Sequence, residues 1–266
     1  MQPLAELADA RLVAVRAVLT DIDDTLSTAG RIGAEAYSAM QALHDAGLLL
    51  VPVTGRPAGW CDHIARMWPV DAVVGENGAF YMLHDAAAGR LRRVFRLSEA
   101  ERRDHRARLA AVAERVLREV PGCALASDQA YREADVAIDF CEDVPLLPRA
   151  EVDRIVALMR DAGLTVKVSS IHVNGWIGDY DKLAMTRELF AREFGIDLDA
   201  GREDVVFVGD SPNDSPMFAH FPLSVGVANV ARMADRTPEL PKYVTERECG
   251  PGFAELARRI LGARRR

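Results

Sequence analysis

Short apolar segments that stop abruptly at polar residues recur along the chain, and this alternation constrains the fold more than any other feature. The clearest are residues 14–20, 48–53 and 205–208, which stop at Asp21, Thr54 and Gly209. Stretches with helical spacing of apolar residues lie between such segments. Strands that alternate with helices favour a parallel sheet covered on both faces. The sequence therefore predicts an α/β fold with a Rossmann-like parallel-sheet core flanked by helices.

The pattern changes near Asp85 and changes back near Gly175. Between them lie two predicted helices, at 97–120 and 149–162, and two alternating segments, at 136–140 and 164–173. Alternation indicates strands with one face in water, as in an antiparallel sheet. We therefore predict a core made of residues 1–84 and 175–266, interrupted by an inserted α+β domain at 85–174.

Charge and cysteine content narrow the possible partners. The 266 residues include 40 Asp and Glu against 33 Lys and Arg, giving a formal net charge of −7. An acidic surface disfavours nucleic acid, and the apolar run at 48–53 is too short to cross a bilayer. The four cysteines form no C-x-x-C pair, so free thiols are predicted rather than disulfides or a zinc site. We expect a cytoplasmic protein with no nucleic-acid or membrane partner; the oligomeric state is not indicated.

The predicted strand ends carry the residues suited to chemistry. Ligands of open parallel sheets bind beyond the carboxyl ends of the strands. Asp21 and Asp23 would place two carboxylates at such an end, and carboxylate oxygens are ligands that Mg²⁺ prefers. Thr54 and Gly55 would offer a hydroxyl and free backbone N–H groups to an anion. Taken alone, an acidic turn and an ordinary helix N-cap explain the same two pairs.

Two further segments have the same ambiguity. Asp210 and Asp214 follow an apolar strand and could face one point across a turn. An ordinary polar turn without any ligand would explain the same residues. Lys182 begins a helix rich in Leu and Met, and by residue type a surface lysine is the commoner case.

The order of these segments is more specific than any one of them. The chain resembles the haloacid dehalogenase superfamily, whose four motifs correspond to Asp21-Ile22-Asp23-Asp24-Thr25-Leu26, Val53-Thr54-Gly55-Arg56-Pro57, Lys182, and Gly209-Asp210-Ser211-Pro212-Asn213-Asp214. The inserted domain and Gly75-Glu76-Asn77-Gly78-Ala79 are similar to the Cof-type subgroup, subclass IIB, which includes sucrose-phosphate and mannosyl-3-phosphoglycerate phosphatases. Asp24, Asp179 and Leu183 depart from that subgroup, since glycine is usual or frequent at these positions.

The resemblance implies a Mg²⁺-dependent hydrolase of small phosphorylated substrates, with sugar phosphates expected. It implies that Asp21 attacks phosphorus and that Asp23 acts as acid and then base. The metal would be held by Asp21, by Asp23 through its main-chain carbonyl, and by Asp210.

The resemblance also implies that Thr54, Gly55 and Lys182 bind the phosphoryl group, with Asp214 and Asn213 in supporting roles. The inserted domain would select the substrate. Polar residues of its strands and loops could contact a sugar or simply face water: Lys167, Ser169, His172, Asn174, Tyr131-Arg132-Glu133 and Asp139.

Two alternatives stay open at this point. A phosphomannomutase-like transferase would use the same aspartyl-phosphate and return the phosphoryl group to a sugar. A sugar-phosphate sensor would bind without turnover, although a sensor has no need of a nucleophile such as Asp21.

Overall fold

The structure, a computed structural model, describes residues 1–265. The helices are α1 (Asp9–Val13), α2 (Ala34–Asp45), α3 (Ala58–Met67), α4 (Glu99–Glu119), α5 (Arg149–Asp161), α6 (Lys182–Leu189), α7 (Ser215–His220) and α8 (Cys249–Arg264). The strands are β1 (Gln2–Pro3), β2 (Ala17–Thr20), β3 (Ser27–Thr28), β4 (Arg31–Ile32), β5 (Leu49–Pro52), β6 (Val73–Gly75), β7 (Phe80–Asp85), β8 (Arg90–Phe95), β9 (Ala124–Leu125), β10 (Asp135–Asp139), β11 (Thr165–Val168), β12 (His172–Trp176), β13 (Val205–Gly209), β14 (Leu223–Gly226) and β15 (Tyr243–Val244).

Six parallel strands form the central sheet, in the order β1-β15-β14-β13-β2-β5. Residues next to each other along β2 pack on opposite sides: Val18 belongs to the apolar core on one face and Leu19 to the core on the other. Both faces are therefore buried, which explains the continuous apolar letters of this strand. The prediction of a parallel sheet flanked by helices is confirmed.

Strand β2 lies at the point where the chain changes direction across the sheet. The next strand of the sheet in the chain, β5, pairs on one side of β2, and the much later β13 pairs on the other. Such a switch point opens a crevice beyond the carboxyl ends of the strands. Asp21 follows β2 directly and therefore lies in the middle of that crevice.

A second sheet forms an inserted module with its own core. Strands β11-β12-β10-β9 pair antiparallel, and α4 and α5 supply apolar residues to a separate cluster that includes Val116, Ile155 and Val173. The single alternating segment predicted at 164–173 is two strands, β11 and β12, separated by a turn at 169–171. Ser169 and Ser170 interrupt the alternation at that turn, and the apolar positions change there from 164, 166 and 168 to 171 and 173.

The predicted division of the chain at residue 85 falls at the end of a strand of an antiparallel hairpin, β7–β8. This hairpin pairs with β6, and Val74 in β6 forms a parallel bridge with Val53 beside the central sheet. Strand β12 likewise continues past residue 174 to Trp176. The division remains a proposal, and the pairing favours a module that begins after Phe95 and ends after Trp176.

Local signals account for the helix ends. Ser98 and Glu101 form a reciprocal capping box at the start of α4, with Ser98 N–H donating to Glu101 at 2.8 Å and Glu101 N–H donating to Ser98 Oγ at 3.3 Å. The helix predicted to begin at Lys182 is regular only to Leu189 and then widens into a π-helical turn that ends at Gly195, where φ is 66°. None of the helices within residues 1–265 has the length and apolar character needed to cross a membrane.

Candidate active site

Three residues from distant parts of the chain meet beyond the carboxyl end of β2. Lys182, at the start of α6, places Nζ 2.7 Å from Oδ1 of Asp21 and 2.7 Å from Oδ1 of Asp214. All three side chains are at most 5% exposed. Lys182 is therefore a buried, doubly paired lysine and not the surface residue that its type alone would favour.

Asp210 completes a group of carboxylates around the same point. Asp21, Asp210 and Asp214 each offer an oxygen, and these oxygens lie within 4.8 Å of one another. Asp210 Oδ1 accepts a hydrogen bond from Thr25 Oγ1 at 3.0 Å, and its Oδ2 accepts one from Asn229 Nδ2 at 3.2 Å. The Asp210 carboxylate is thus fixed in orientation before any ligand binds.

Asp214 has a structural task within its own loop. Its Oδ2 accepts hydrogen bonds from the backbone N–H groups of Asp210 at 3.0 Å and Ser211 at 3.2 Å, while its Oδ1 accepts from Lys182. A Cβ on Gly209 would lie 2.4 Å from Asp214 Oδ2, so only glycine allows this close turn. Because Asp214 positions the Lys182 ammonium group and closes its own loop through two backbone N–H groups, it suits the predicted supporting role.

Burial of these like charges shifts their titration. Desolvation raises the pKa of Asp21 to about 7, against the lowering effect of Lys182. Burial, together with Asp21 and Asp214, raises the pKa of Asp210 well above its usual range. Burial lowers the pKa of Lys182, but the two carboxylates outweigh it and the pKa lies above its ordinary value.

The donor set fits a divalent cation. Three carboxylates face one ammonium group, so the cluster has excess negative charge when ionised. Burial first, and the neighbouring carboxylates second, raise the pKa values of Asp21 and Asp210. Hard oxygen ligands of this kind suit Mg²⁺. The prediction of Asp21 and Asp210 as ligands agrees with this geometry but stays a prediction.

Asp23 points to a different partner. Its side chain is not part of the carboxylate cluster of Asp21, Asp210 and Asp214. It is held by Arg56, whose Nε lies 2.9 Å and whose Nη2 lies 2.7 Å from Asp23 Oδ1. The guanidinium also lies over the ring of Trp60, 4.4 Å from the centroid. Any metal contact of Asp23 would have to come from its main-chain carbonyl, as the resemblance implies.

The Thr54-Gly55 loop lies beside Asp21 because β5 and β2 are neighbours. Thr54 is fully buried, and its hydroxyl accepts the N–H of Arg56 at 3.0 Å. The N–H of Asn77 donates to the Thr54 carbonyl at 3.0 Å, and Asn213 Nδ2 donates to Asn77 Oδ1 at 3.1 Å. Asn77 therefore connects the Thr54 loop to the loop that carries Asp210.

Glu76 anchors the inserted module to the core. This fully buried carboxylate accepts backbone N–H groups from Ala58, Glu133 and Ala134 at 3.0, 2.9 and 2.6 Å. Burial, with Asp135, raises the pKa of Glu76 to about 8. One carboxylate therefore joins the first turn of α3 to the segment that precedes β10.

Most of the module residues considered from sequence serve the module itself. Asn174 and Arg132 both bind Asp135, at 3.0 Å in each case, and Asp139 accepts the N–H groups of residues 141–143. Ser169 closes the turn before β12. His172 pairs with Glu142 at 2.9 Å, which places it near the site, while Tyr131 is 59% exposed.

Sequence reasoning missed several residues that build the site. Thr25, Arg56 and Asn77 lie inside segments that had been singled out for other positions, whereas Glu142 and Asn229 carry no local signal. The departure at Asp24 also has an explanation. Its φ is 53°, in the left-handed region, which is why glycine is frequent there.

Comparison with known proteins agrees with this architecture. A family model for haloacid dehalogenase-like hydrolases matches residues 18–94. A phosphoglycolate phosphatase of Methanoculleus marisnigri is 28% identical over 254 residues, covering 92% of this chain and 96% of the relative.

Solved structures show the same fold at low identity. A Thermoplasma acidophilum protein has a TM-score of 0.69 at 18% identity, with 93% of this chain and 98% of the other covered. The sucrose-phosphatase of Synechocystis, solved with sucrose and phosphate, has a TM-score of 0.63 at 15% identity, with 92% and 97% covered.

Fold and site together define an α/β enzyme core whose carboxylates cluster beyond the ends of parallel strands. In these features the chain is similar to the haloacid dehalogenase-like hydrolases, whose family model it matches over residues 18–94.

Proposed function

We propose that this protein is a Mg²⁺-dependent phosphatase that hydrolyses a small phosphorylated metabolite, with a sugar phosphate as the expected substrate class. The contact of Lys182 with both Asp21 and Asp214, beside Asp210, carries the proposal. This contact brings together a candidate nucleophile, a fixed cation and carboxylate oxygens that could bind a metal, at an edge of the sheet where ligands bind. The names of the phosphoglycolate phosphatase and sucrose-phosphatase relatives support phosphate ester hydrolysis.

Asp21, Lys182 and the Thr54-Gly55 loop have separate roles in the proposed reaction. Asp21 attacks phosphorus and forms an aspartyl-phosphate, which replaces one difficult displacement with two easier ones. Lys182 holds the Asp21 carboxylate in place and offsets negative charge on the transferring group. The Thr54 hydroxyl and the N–H groups of the Thr54-Gly55 loop donate hydrogen bonds to its oxygens.

Asp23 protonates the leaving alkoxide and then takes a proton from the water that cleaves the aspartyl-phosphate. For this step it must carry a proton, so its ion pair with Arg56 has to loosen when substrate binds. Asp21 and Asp210 would hold Mg²⁺, which supplies electrostatic screening between the attacking carboxylate and the phosphate.

The test is release of inorganic phosphate from a panel of sugar and short-chain phosphates with Mg²⁺. The wild type should turn over at least one ester, and Asp21→Asn should abolish turnover. Asp45→Asn, a change of the same kind at an exposed position, is the matched control and should leave it unchanged. Full metal-dependent turnover by the Asp21 variant would contradict the covalent mechanism.

The same panel separates the alternatives. Interconversion of sugar phosphate isomers that needs a bisphosphate primer, without steady phosphate release, would assign a mutase. Saturable binding of the esters without any turnover would assign a sensor.

A further inference from the structure

A cavity of about 420 Å³ opens beside Asp23, between the core and the inserted module. Asp23 and Arg56 line it from the core, and Glu142 and Ser170 line it from the module. Under the proposed function Asp23 protonates the leaving oxygen, so the group attached to that oxygen must occupy the space next to the Asp23 side chain. The cavity is therefore the place where the leaving group binds.

Three carboxylates line this cavity, against a single cation. They are Asp23, Asp24 and Glu142, and the cation is Arg56. Within residues 1–265, no other Lys or Arg lines it. A second negative charge on the substrate, beyond the phosphoryl group, would therefore enter a region that is already negative.

The one cation is already engaged. Arg56 is 4% exposed at its side chain, and its Nη2 lies 2.7 Å from Asp23 and 2.6 Å from Glu142. Its Nη1 lies 3.3 Å from Asp128 of the module. When Asp23 takes up its proton and loosens from Arg56, Glu142 and Asp128 still pair with the guanidinium. The carboxylates of Asp24 and Glu142 then still outnumber the one cation that lines the cavity.

What the cavity offers instead is hydrogen-bond acceptors. The carboxylate oxygens of Asp24 and Glu142 accept only, and the hydroxyls of Ser27 and Ser170 add groups that can accept or donate. Hydroxyl and ammonium groups are the donors that match such a surface.

We propose that Asp24 and Glu142 select substrates by the charge of the leaving group: neutral polyhydroxyl or cationic groups are accepted, and carboxylates are rejected. This inference rests on the proposed phosphatase function. It would separate this chain from relatives that are named phosphoglycolate phosphatases.

Three esters of nearly equal size test it: 2-phosphoglycolate, 2-hydroxyethyl phosphate and phosphoethanolamine, which end in a carboxylate, a hydroxyl and an ammonium group. p-Nitrophenyl phosphate serves as a general phosphatase reference. We expect kcat/KM for the hydroxyl and ammonium esters to exceed that for phosphoglycolate by about tenfold or more, because like charges a few ångströms apart repel strongly in a half-buried site.

Two variants assign the effect. Glu142→Gln and Asp24→Asn should each raise kcat/KM for phosphoglycolate relative to the hydroxyl ester by several-fold. Asp104→Asn removes the same charge from an exposed position of the module and should leave the ratio unchanged. Because Asp24→Asn leaves the Arg56 pairs in place, it tests the charge effect even if Glu142→Gln disturbs folding.

The possible outcomes distinguish a failure of charge selection by Asp24 and Glu142 from a failure of the proposed phosphatase function. A preference for phosphoglycolate, with normal Asp21-dependent hydrolysis of p-nitrophenyl phosphate, would overturn the inference alone. Unchanged ratios in both variants would also overturn it. Absence of hydrolysis of these four esters and of every sugar phosphate in the wider panel would contradict the phosphatase function, and the inference would fail with it.

Discussion

The ammonium group of Lys182 lies 2.7 Å from Oδ1 of Asp21, although 161 positions separate the two residues in the chain. The contact exists because α6 begins where the chain returns from the inserted module to the central sheet. Asp181 caps that helix by accepting the N–H of Ala184 at 2.8 Å, which fixes Lys182 in the first turn. A Cβ on Gly78 would lie 2.1 Å from the Asp181 carbonyl oxygen, so glycine there lets the helix start approach the site.

Replacing Lys182 with Met should reduce kcat by about 10²- to 10³-fold, the usual cost of losing one group that stabilises developing charge. The apolar side chain also leaves Asp21 and Asp214 buried without their shared cation. Steady-state kinetics on the best ester of the panel measures the effect. The matched control is Lys242→Met at an exposed lysine, and equal activity of the two variants would contradict the role of Lys182.

Mg²⁺ should raise the melting temperature of the wild type by several degrees, since a ligand that binds only the folded state stabilises it by RT ln(1 + [L]/Kd). Asp210→Asn should remove most of this shift because it removes one of the two carboxylates that are proposed to hold the metal. Differential scanning calorimetry with and without EDTA gives the measurement, and Asp45→Asn is the control. A shift of the same size in the Asp210 variant would argue against this residue as a ligand.

Asp23→Asn should slow hydrolysis of an alkyl phosphate by about 10²- to 10⁴-fold, the range found for loss of a general acid or base. Formation of the aspartyl-phosphate from p-nitrophenyl phosphate should be affected much less, because nitrophenolate leaves without a proton. Rapid-mixing measurement of the first turnover shows this as a preserved burst of nitrophenolate. Equal losses for both esters in that first turnover would mean that Asp23 does not protonate the leaving group.

Glu76→Ala should lower the free energy of unfolding by about 3 kcal/mol or more, since each buried N–H left without an acceptor costs roughly 1–3 kcal/mol. Glu76→Gln keeps one oxygen acceptor and should cost less. Urea unfolding followed by circular dichroism measures both. A loss below about 0.5 kcal/mol for the alanine variant, the usual range for surface changes, would contradict the anchoring role.

Glu142 should give a pH-dependent contribution to stability. Burial raises its pKa, but the bonds from His172 and Arg56 outweigh burial and lower the pKa from 4.5 to about 2. The unfolded chain then binds the proton more readily than the folded one. The contribution is fully present above the unfolded value and is lost as the pH falls from 4.5 towards 2.

The measurement is the difference in unfolding free energy between wild type and Glu142→Gln at a series of pH values. The difference should be constant near neutral pH and shrink below about pH 4.5, the ordinary pKa of a glutamate. A difference that grows as the pH falls would show that the carboxyl is not held ionised in the fold.

The sequence predicted the parts of the molecule whose signal is local. The central strands were recognisable because both faces are buried, and Asp21, Thr54 and Asp210 were recognisable because they follow those strands. The β7–β8 hairpin was missed: Arg90, Arg92 and Arg93 on its second strand lie largely in water and break the apolar pattern.

The remaining site residues could not be found in this way because their partners are remote. Asn229 reaches Asp210 across 19 residues, and Glu142 reaches Arg56 across 86. The residues next to Asn229 and Glu142 in the sequence do not indicate these contacts, because the contacts depend on how the module and the last strands pack over the sheet.

The anchor at Glu76 has a consequence for how such proteins diversify. Its partners in the module are main-chain N–H groups of Glu133 and Ala134, which any residue other than proline supplies. The side chains of that segment can therefore change during evolution, or be exchanged in a chimera, while the module keeps its position over the edge of the central sheet where the candidate active site lies. New substrate preferences can then arise by substitutions within the module, while the Glu76 contacts that hold the module to the core stay the same.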